Sequence, residues 1–250
     1  MKILSLYFLM TLMGGVSTVQ LSRGSVDLPT ASETPQIVSG GKSYPAYFAT
    51  PKGEGKWPAL VLIHSFKGLE PGYLTMIDRL AAQGFVVIAP RWQTFERSPK
   101  DEVVSQLIQD SVAYLKTRKE VNSGLLGLTG FCAGGRYTML FLPQMEFKSG
   151  VAFYGFPYSG GSNNQAKPAE FISRLKVPML MIHGTHDEAS KIADIYRYAT
   201  DLDAAGKYFE LKVYQAQPHG FMVENGKLSE SFPAKDAFWQ MATFFSRTLR

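Results

Sequence analysis

The sequence predicts an α/β fold, a mostly parallel central sheet with helices on both faces. Three observations point to it. From residue 36 onward, strand and helix signals alternate, as parallel strands joined by crossover helices require. Several strand segments are continuous apolar runs, such as Ala59-Leu60-Val61-Leu62-Ile63 and Phe85-Val86-Val87-Ile88-Ala89, the mark of strands covered on both faces. Finally, Gly130-Phe131-Cys132-Ala133-Gly134-Gly135 lies between a buried strand and a helix start, a glycine-lined turn that lifts one central side chain above the end of a sheet.

The elements follow in order. Lys2 precedes an apolar run from Ile3 to Met13, and small or polar residues (Gly14, Gly15, Ser17, Thr18) come next. Residues 1–19 therefore read as a short secretory signal peptide, too short for a comfortable membrane span. The alternative is an N-terminal helix packed on the domain. Cleavage predicts a secreted or periplasmic protein without a membrane span in its mature form; an uncleaved chain would be cytoplasmic. Residues 20–35, rich in Ser, Thr, Pro and Gly, read as a linker, and 36–250 as a single domain.

Within that domain, 44–49 is an early alternating strand and 59–63 the first fully buried one. A helix follows over 72–83, with Leu74, Ile77, Leu80 and Ala81 on one face and Gly84 as its stop. The strand at 85–89 is closed by Pro90. Ser98-Pro99 opens a longer helix, with Asp101 and Glu102 in its first turn and Lys116, Arg118 and Lys119 near its end, a charge order that suits the helix dipole. The strand at 125–129, a helix over 134–142, and strands at 151–154, 177–182 and 209–214 complete the sheet. Helices near 190–205 and 234–247 cover it.

Composition bounds the function. The chain has 250 residues, 45% hydrophobic and 19% charged, enough for one sizeable core. Its net charge of +5 is scattered, without the basic stripe and interleaved aromatics of a nucleic-acid binder. A single cysteine excludes an intrachain disulfide and every cysteine-rich zinc pattern.

In an open parallel sheet, working residues collect at the carboxyl ends of the strands. Cys132 follows its strand directly, Asp187 lies just past the strand ending at Ile182, and His219 lies past the last strand. Nucleophile, then carboxylate, then histidine is the chain order of α/β-hydrolases. The chemistry needs each member. A free thiol is mostly protonated at neutral pH, so an imidazole must take its proton, and a buried carboxylate must hold the imidazole in the useful tautomer. Two backbone N–H groups must receive the oxyanion, and the sequence offers those of Phe66 and Ala133. His64, His183 and His186 compete with His219, and Glu188 and Asp194 compete with Asp187.

At these residues the chain resembles the dienelactone hydrolase family of α/β-hydrolases. The resemblance rests on Leu62-Ile63-His64, Gly84-Phe85-Val86-Val87-Ile88-Ala89-Pro90, the Gly130–Arg136 turn, Phe153-Tyr154-Gly155, the Gly184-x-x-Asp187 turn and Pro218-His219-Gly220-Phe221, and covers about 36–250. It implies hydrolysis of a small-molecule ester or lactone through an acyl-thioester on the cysteine, with no metal and no organic cofactor. It also implies Cys132, Asp187 and His219 as the triad. Two positions depart from the family. A glutamate that helps form the thiolate usually follows the His64 position, which here precedes Ser65. An arginine that grips a substrate carboxylate in chlorocatechol-pathway members stands four residues after the histidine, where this chain has Val223. The first departure leaves room for a non-catalytic binding protein on the same fold, and the second argues against dienelactone itself as substrate.

Ser65, Arg91, Trp92, Arg136, Tyr154 and Phe221 are expected around the substrate pocket. Arg91 and Arg136 would meet an anionic group or serve as ordinary ion-pair residues. The aromatics would line an apolar pocket or simply pack. The sequence does not give the oligomeric state.

Overall fold

A computed structural model describes residues 27–250. The signal peptide expected over 1–19 lies outside the described residues, as does the first part of the 20–35 linker. The end of that linker is not a linker. Thr30–Glu33 forms strand β1, paired antiparallel with Lys42–Pro51 (β3), and Gln36–Ser39 (β2) pairs with the same strand. Its polar composition hid a strand that uses the edge of β3 and keeps its own side chains mostly in water.

The remaining strands of the large sheet are Trp57–Ile63 (β4), Val86–Pro90 (β5), Val121–Phe131 (β6), Ser149–Phe153 (β7), Met179–Gly184 (β8) and Phe209–Tyr214 (β9). Their order is β1-β3-β5-β4-β6-β7-β8-β9, with β2 beside β3; β4 to β9 run parallel, and β3 is antiparallel to β5. Strands β4, β5 and β7 are buried at both even and odd positions because both faces are covered.

Helices Pro71–Ala82 (α1) and Phe232–Thr248 (α5) cover one face, where Tyr73, Leu80 and Phe245 meet Leu60, Leu62 and Val87. Asp101–Thr117 (α2), Ala133–Phe141 (α3) and Ile192–Ala204 (α4) cover the other, where Leu107, Leu140 and Tyr198 meet Val61, Ile88 and Met181. Odd and even positions of one strand thus feed two separate cores. Pro168–Arg174 forms a short 3₁₀ turn, and a small hairpin pairs Val223–Glu224 (β10) with Lys227–Leu228 (β11). No helix among the described residues is long and apolar enough to cross a membrane.

The strand order places the site. From β4 the chain passes through α1 to β5 on one side; from β5 it passes through α2 to β6 on the other side of β4. The loops leaving β4 and β6 therefore diverge from adjacent strands, with Ile63 beside Gly130 in the ladder. This reversal opens the crevice in which open α/β sheets hold ligands.

Candidate active site

Cys132 sits between β6 and α3 with φ 58° and ψ −114°. A non-glycine residue in this region is strained by about 1–3 kcal/mol and persists only where its surroundings over-determine it. Here they do. A Cβ on Gly130 would overlap the backbone of Gly134, and one on Gly134 would overlap the carbonyl of Ile63. The Cys132 N–H donates to the Phe153 carbonyl (3.1 Å), and its own carbonyl accepts from the Arg136 N–H (2.9 Å). The sharp turn read from the glycines is thus present, with the half-exposed thiol at its apex and at the N-terminus of α3.

The loop after β4 runs alongside. The Gln93 side chain donates to the Phe66 carbonyl (3.1 Å), and the Lys67 N–H donates to Ser65 Oγ (3.2 Å). These contacts leave the Phe66 amide free; neither it nor the Ala133 amide has a hydrogen-bond partner among the described residues. Beneath them His64 donates Nδ1–H to the Ser65 carbonyl (2.8 Å) and stacks on Trp92 at 5.4 Å. Burial pushes the His64 pKa down to about 4, with the Arg91 charge adding to the effect and the Ser65 hydrogen bond opposing it. His64 is therefore a neutral strut of the loop.

Asp187 lies in the turn after β8, its side chain fully buried. Oδ1 accepts from the backbone N–H groups of Ala189 (2.9 Å) and Ser190 (2.7 Å), and Oδ2 accepts from His219 Nδ1 (2.7 Å). Burial alone would favour the neutral acid, but the His219 and Ser190 hydrogen bonds hold the carboxyl below its ordinary range. His183 lies 3.4 Å from the same oxygen, and its Nε2 is committed to the Ser190 carbonyl at 2.8 Å. Of the competing side chains, His186, Glu188 and Asp194 are exposed and His64 and His183 are buried; none of the five lines the cleft that holds Cys132.

His219 presents Nδ1 to Asp187, and its buried Nε2 has no hydrogen-bond partner among the described residues. Burial disfavours the charged ring, yet Asp187 and the nearby Cys132 carry its pKa from 6.5 up to about 9. Cys132 and His219 both line an open cleft of about 340 Å³ together with Ser65, Phe66, Tyr154 and Phe221.

Three residues expected around the pocket do not line it. Arg136 is 3% exposed and forms a bidentate pair with Asp101 (2.8 and 2.7 Å), with further bonds to the carbonyls of Ser159 and Ala166. It ties α3 to the start of α2. Trp92 is buried and donates its indole N–H to the His64 carbonyl (3.1 Å). Arg91 is exposed and does not line the cleft.

The cleft in turn is lined by residues that the sequence reading did not place in the site: Tyr73 from α1, with Lys67, Glu70 and Glu224. Tyr73 had a signal, since 73, 76, 77 and 80 fall on one helical face. Among the described residues no group of three or more His, Cys, Asp or Glu side chains is placed to hold a metal ion.

Residues 44–249 match the model of the dienelactone hydrolase family. A Methylorubrum extorquens protein provisionally named a carboxymethylenebutenolidase is 28% identical over 221 residues, which is 80% of this chain and 76% of that one. An Escherichia coli relative with the same provisional name is 28% identical over 230 residues, 84% of this chain and 85% of its own. Among solved structures, a Klebsiella pneumoniae protein provisionally identified as a dienelactone hydrolase shares the fold with a TM-score of 0.79 at 24% identity, covering 88% of this chain and 99% of that one. Glycine-walled turn, reversal of strand order and a family match across nearly all the described residues agree: the chain belongs to the dienelactone hydrolase family, within the α/β-hydrolases.

Proposed function

We propose that the protein hydrolyses a carboxylic ester or lactone by nucleophilic catalysis, with Cys132 as nucleophile, His219 as base and acid, and Asp187 as the group that orients the imidazole. One observation carries the reading. The ring held at Nδ1 by Asp187 leaves Nε2 unpartnered in the same cleft as the strained Cys132. The family match and the names of the relatives support the reaction class.

In the first half-reaction the Cys132 sulfur, its proton passed to His219, bonds to the carbonyl carbon, and the carbonyl oxygen becomes an oxyanion held by the Phe66 and Ala133 amides. The intermediate collapses to a thioester as the C–O bond breaks and the leaving oxygen takes the proton from His219. In the second half, His219 takes a proton from water and the hydroxide bonds to the thioester carbon. The C–S bond then breaks, releasing the acid and the thiol. His219 must be protonated in each collapse step, and its hydrogen bond to Asp187 favours that form against the opposing effect of burial.

With serine at position 65, no carboxylate adjoins His64 to assist ionisation, and the aspartate-backed imidazole takes that role alone. Replacing Cys132 by alanine is expected to abolish turnover of p-nitrophenyl butyrate while far-UV circular dichroism and melting temperature stay at wild-type values. Cys132→Ser keeps some turnover, since a hydroxyl can use the same base. Undiminished hydrolysis by the alanine variant would remove the proposal.

A further inference from the structure

Two phenols enter the cleft, and their circumstances differ. Tyr73 is 1% exposed, with the Ser65 side chain near its hydroxyl. Tyr154, in the turn after β7, is wholly buried; the Met222 backbone lies beside its oxygen, but no described residue accepts its hydrogen. A buried donor without an acceptor is costly and uncommon in a native fold.

Nor can Tyr154 swing out to water. Its backbone N–H is tied to the Ile182 carbonyl (2.8 Å), and its ring packs edge-on against His219 (5.0 Å) and Phe221 (5.7 Å). The residue holds a left-handed φ of 35°, a conformation that side chains other than glycine seldom adopt and that clusters at ligand sites. Burial, reinforced by the nearby Tyr73 and Cys132, keeps the phenol protonated and hence a donor.

Position decides what it reaches. Cys132 follows β6; Phe66 follows β4 on one side of it, and Tyr154 follows β7 on the other. The oxyanion is provided for on the β4 side and the leaving oxygen by His219. The acceptor that would meet Tyr154 is therefore a further oxygen, carried on the acyl part held against the sulfur.

We propose that Tyr154 is a specificity-determining hydrogen-bond donor, selecting esters or lactones that bear a hydroxy, alkoxy or oxo oxygen next to the scissile carbonyl over their hydrocarbon counterparts. The proposal rests on the ester-hydrolysis reading and narrows its substrate class. A site built to donate to a substrate oxygen discriminates against the analogue that lacks it, because the donor is then left unpaired.

The test compares p-nitrophenyl methoxyacetate with p-nitrophenyl butyrate, which differ by an oxygen in place of a methylene. The ratio of their kcat/KM values is measured in wild type and in Tyr154→Phe. The expected result is a fall in that ratio of about tenfold, the scale of one hydrogen bond. An unchanged ratio, whatever the absolute loss, overturns the proposal by making Tyr154 a packing residue. A wild type that turns over neither ester and forms no adduct at Cys132 overturns the esterase reading itself. Wild-type protein alone gives a second measure should the variant not fold: methoxyacetamide must inhibit butyrate hydrolysis more strongly than butyramide, and equal inhibition contradicts the proposal.

Discussion

Replacing Asp187 with asparagine changes one oxygen and should disable the imidazole. The asparagine carbonyl can keep the Ala189 and Ser190 N–H bonds that Oδ1 now accepts, which turns its NH₂ toward His219 Nδ1. Two donors cannot face each other, so the neutral ring must move its proton to Nε2, the nitrogen that has to accept one from Cys132. The charged ring loses its counter-ion as well. Burial alone would push the His219 pKa down, and the raised value of about 9 against 6.5 reflects Asp187 and Cys132 together. That difference amounts to roughly 3 kcal/mol at 1.36 kcal/mol per unit.

The variant ring should therefore titrate lower than the wild-type ring, followed by ¹H–¹³C NMR of the histidine ring against pH. Because the folded pKa is raised, the stabilisation is fully present below pH 6.5 and is lost as pH climbs through about 9. Asp187, with a folded pKa below 3.8, contributes above that value and loses its contribution as pH falls through the lowered one. Urea unfolding of the variant should then show its largest deficit between about pH 4 and 6.5, shrinking as pH rises from 6.5 toward about 9. Ester turnover should fall by about 10³-fold or more. A ring that still titrates near 9, or turnover within about threefold of wild type, would refute the reasoning.

Two further outcomes follow from groups away from the reacting atoms. Arg136→Met leaves Asp101 as a buried carboxylate without its partner and should cost about 3–5 kcal/mol in urea unfolding, with a wild-type KM in the folded fraction; wild-type stability would contradict a structural role for the pair. His64, with a pKa lowered to about 4, stays neutral while the unfolded chain takes a proton below 6.5, so stability is lost as pH falls across that interval. Its share is up to about 3 kcal/mol. His64→Asn should flatten the fall in urea midpoint between about pH 7 and 4.5, and an unchanged slope would place the acid sensitivity elsewhere.

The physical reasons for what the sequence disclosed are specific. Strands β4 and β5 were legible because burial on both faces demands an unbroken apolar run, a signal carried by adjacent residues. The turn at Cys132 was legible because close approach to Ile63 and Phe153 permits only glycine around it. Asp187 and His219 could be placed because strand ends in a parallel sheet converge on one edge.

What failed depends on partners far away in the chain. From sequence, Arg136 could meet a substrate anion or an ion-pair partner, and only the fold brings Asp101 of α2 against it; Trp92 could line the pocket or pack, and only the fold gives its indole the His64 carbonyl. Strand β1 owes its pairing to β3 rather than to its own residues. Tyr73 carried a usable helical period, but only the fold sets that face of α1 beside Ser65 and Cys132.

The central claim is a covalent bond between substrate and the one sulfur at the end of β6. Acid quenching during steady-state turnover of p-nitrophenyl butyrate, followed by intact-mass and peptide mapping, tests it directly. The account predicts a butyryl group on the peptide that contains Cys132, absent from Cys132→Ala. Full turnover with an unmodified Cys132 throughout would contradict it.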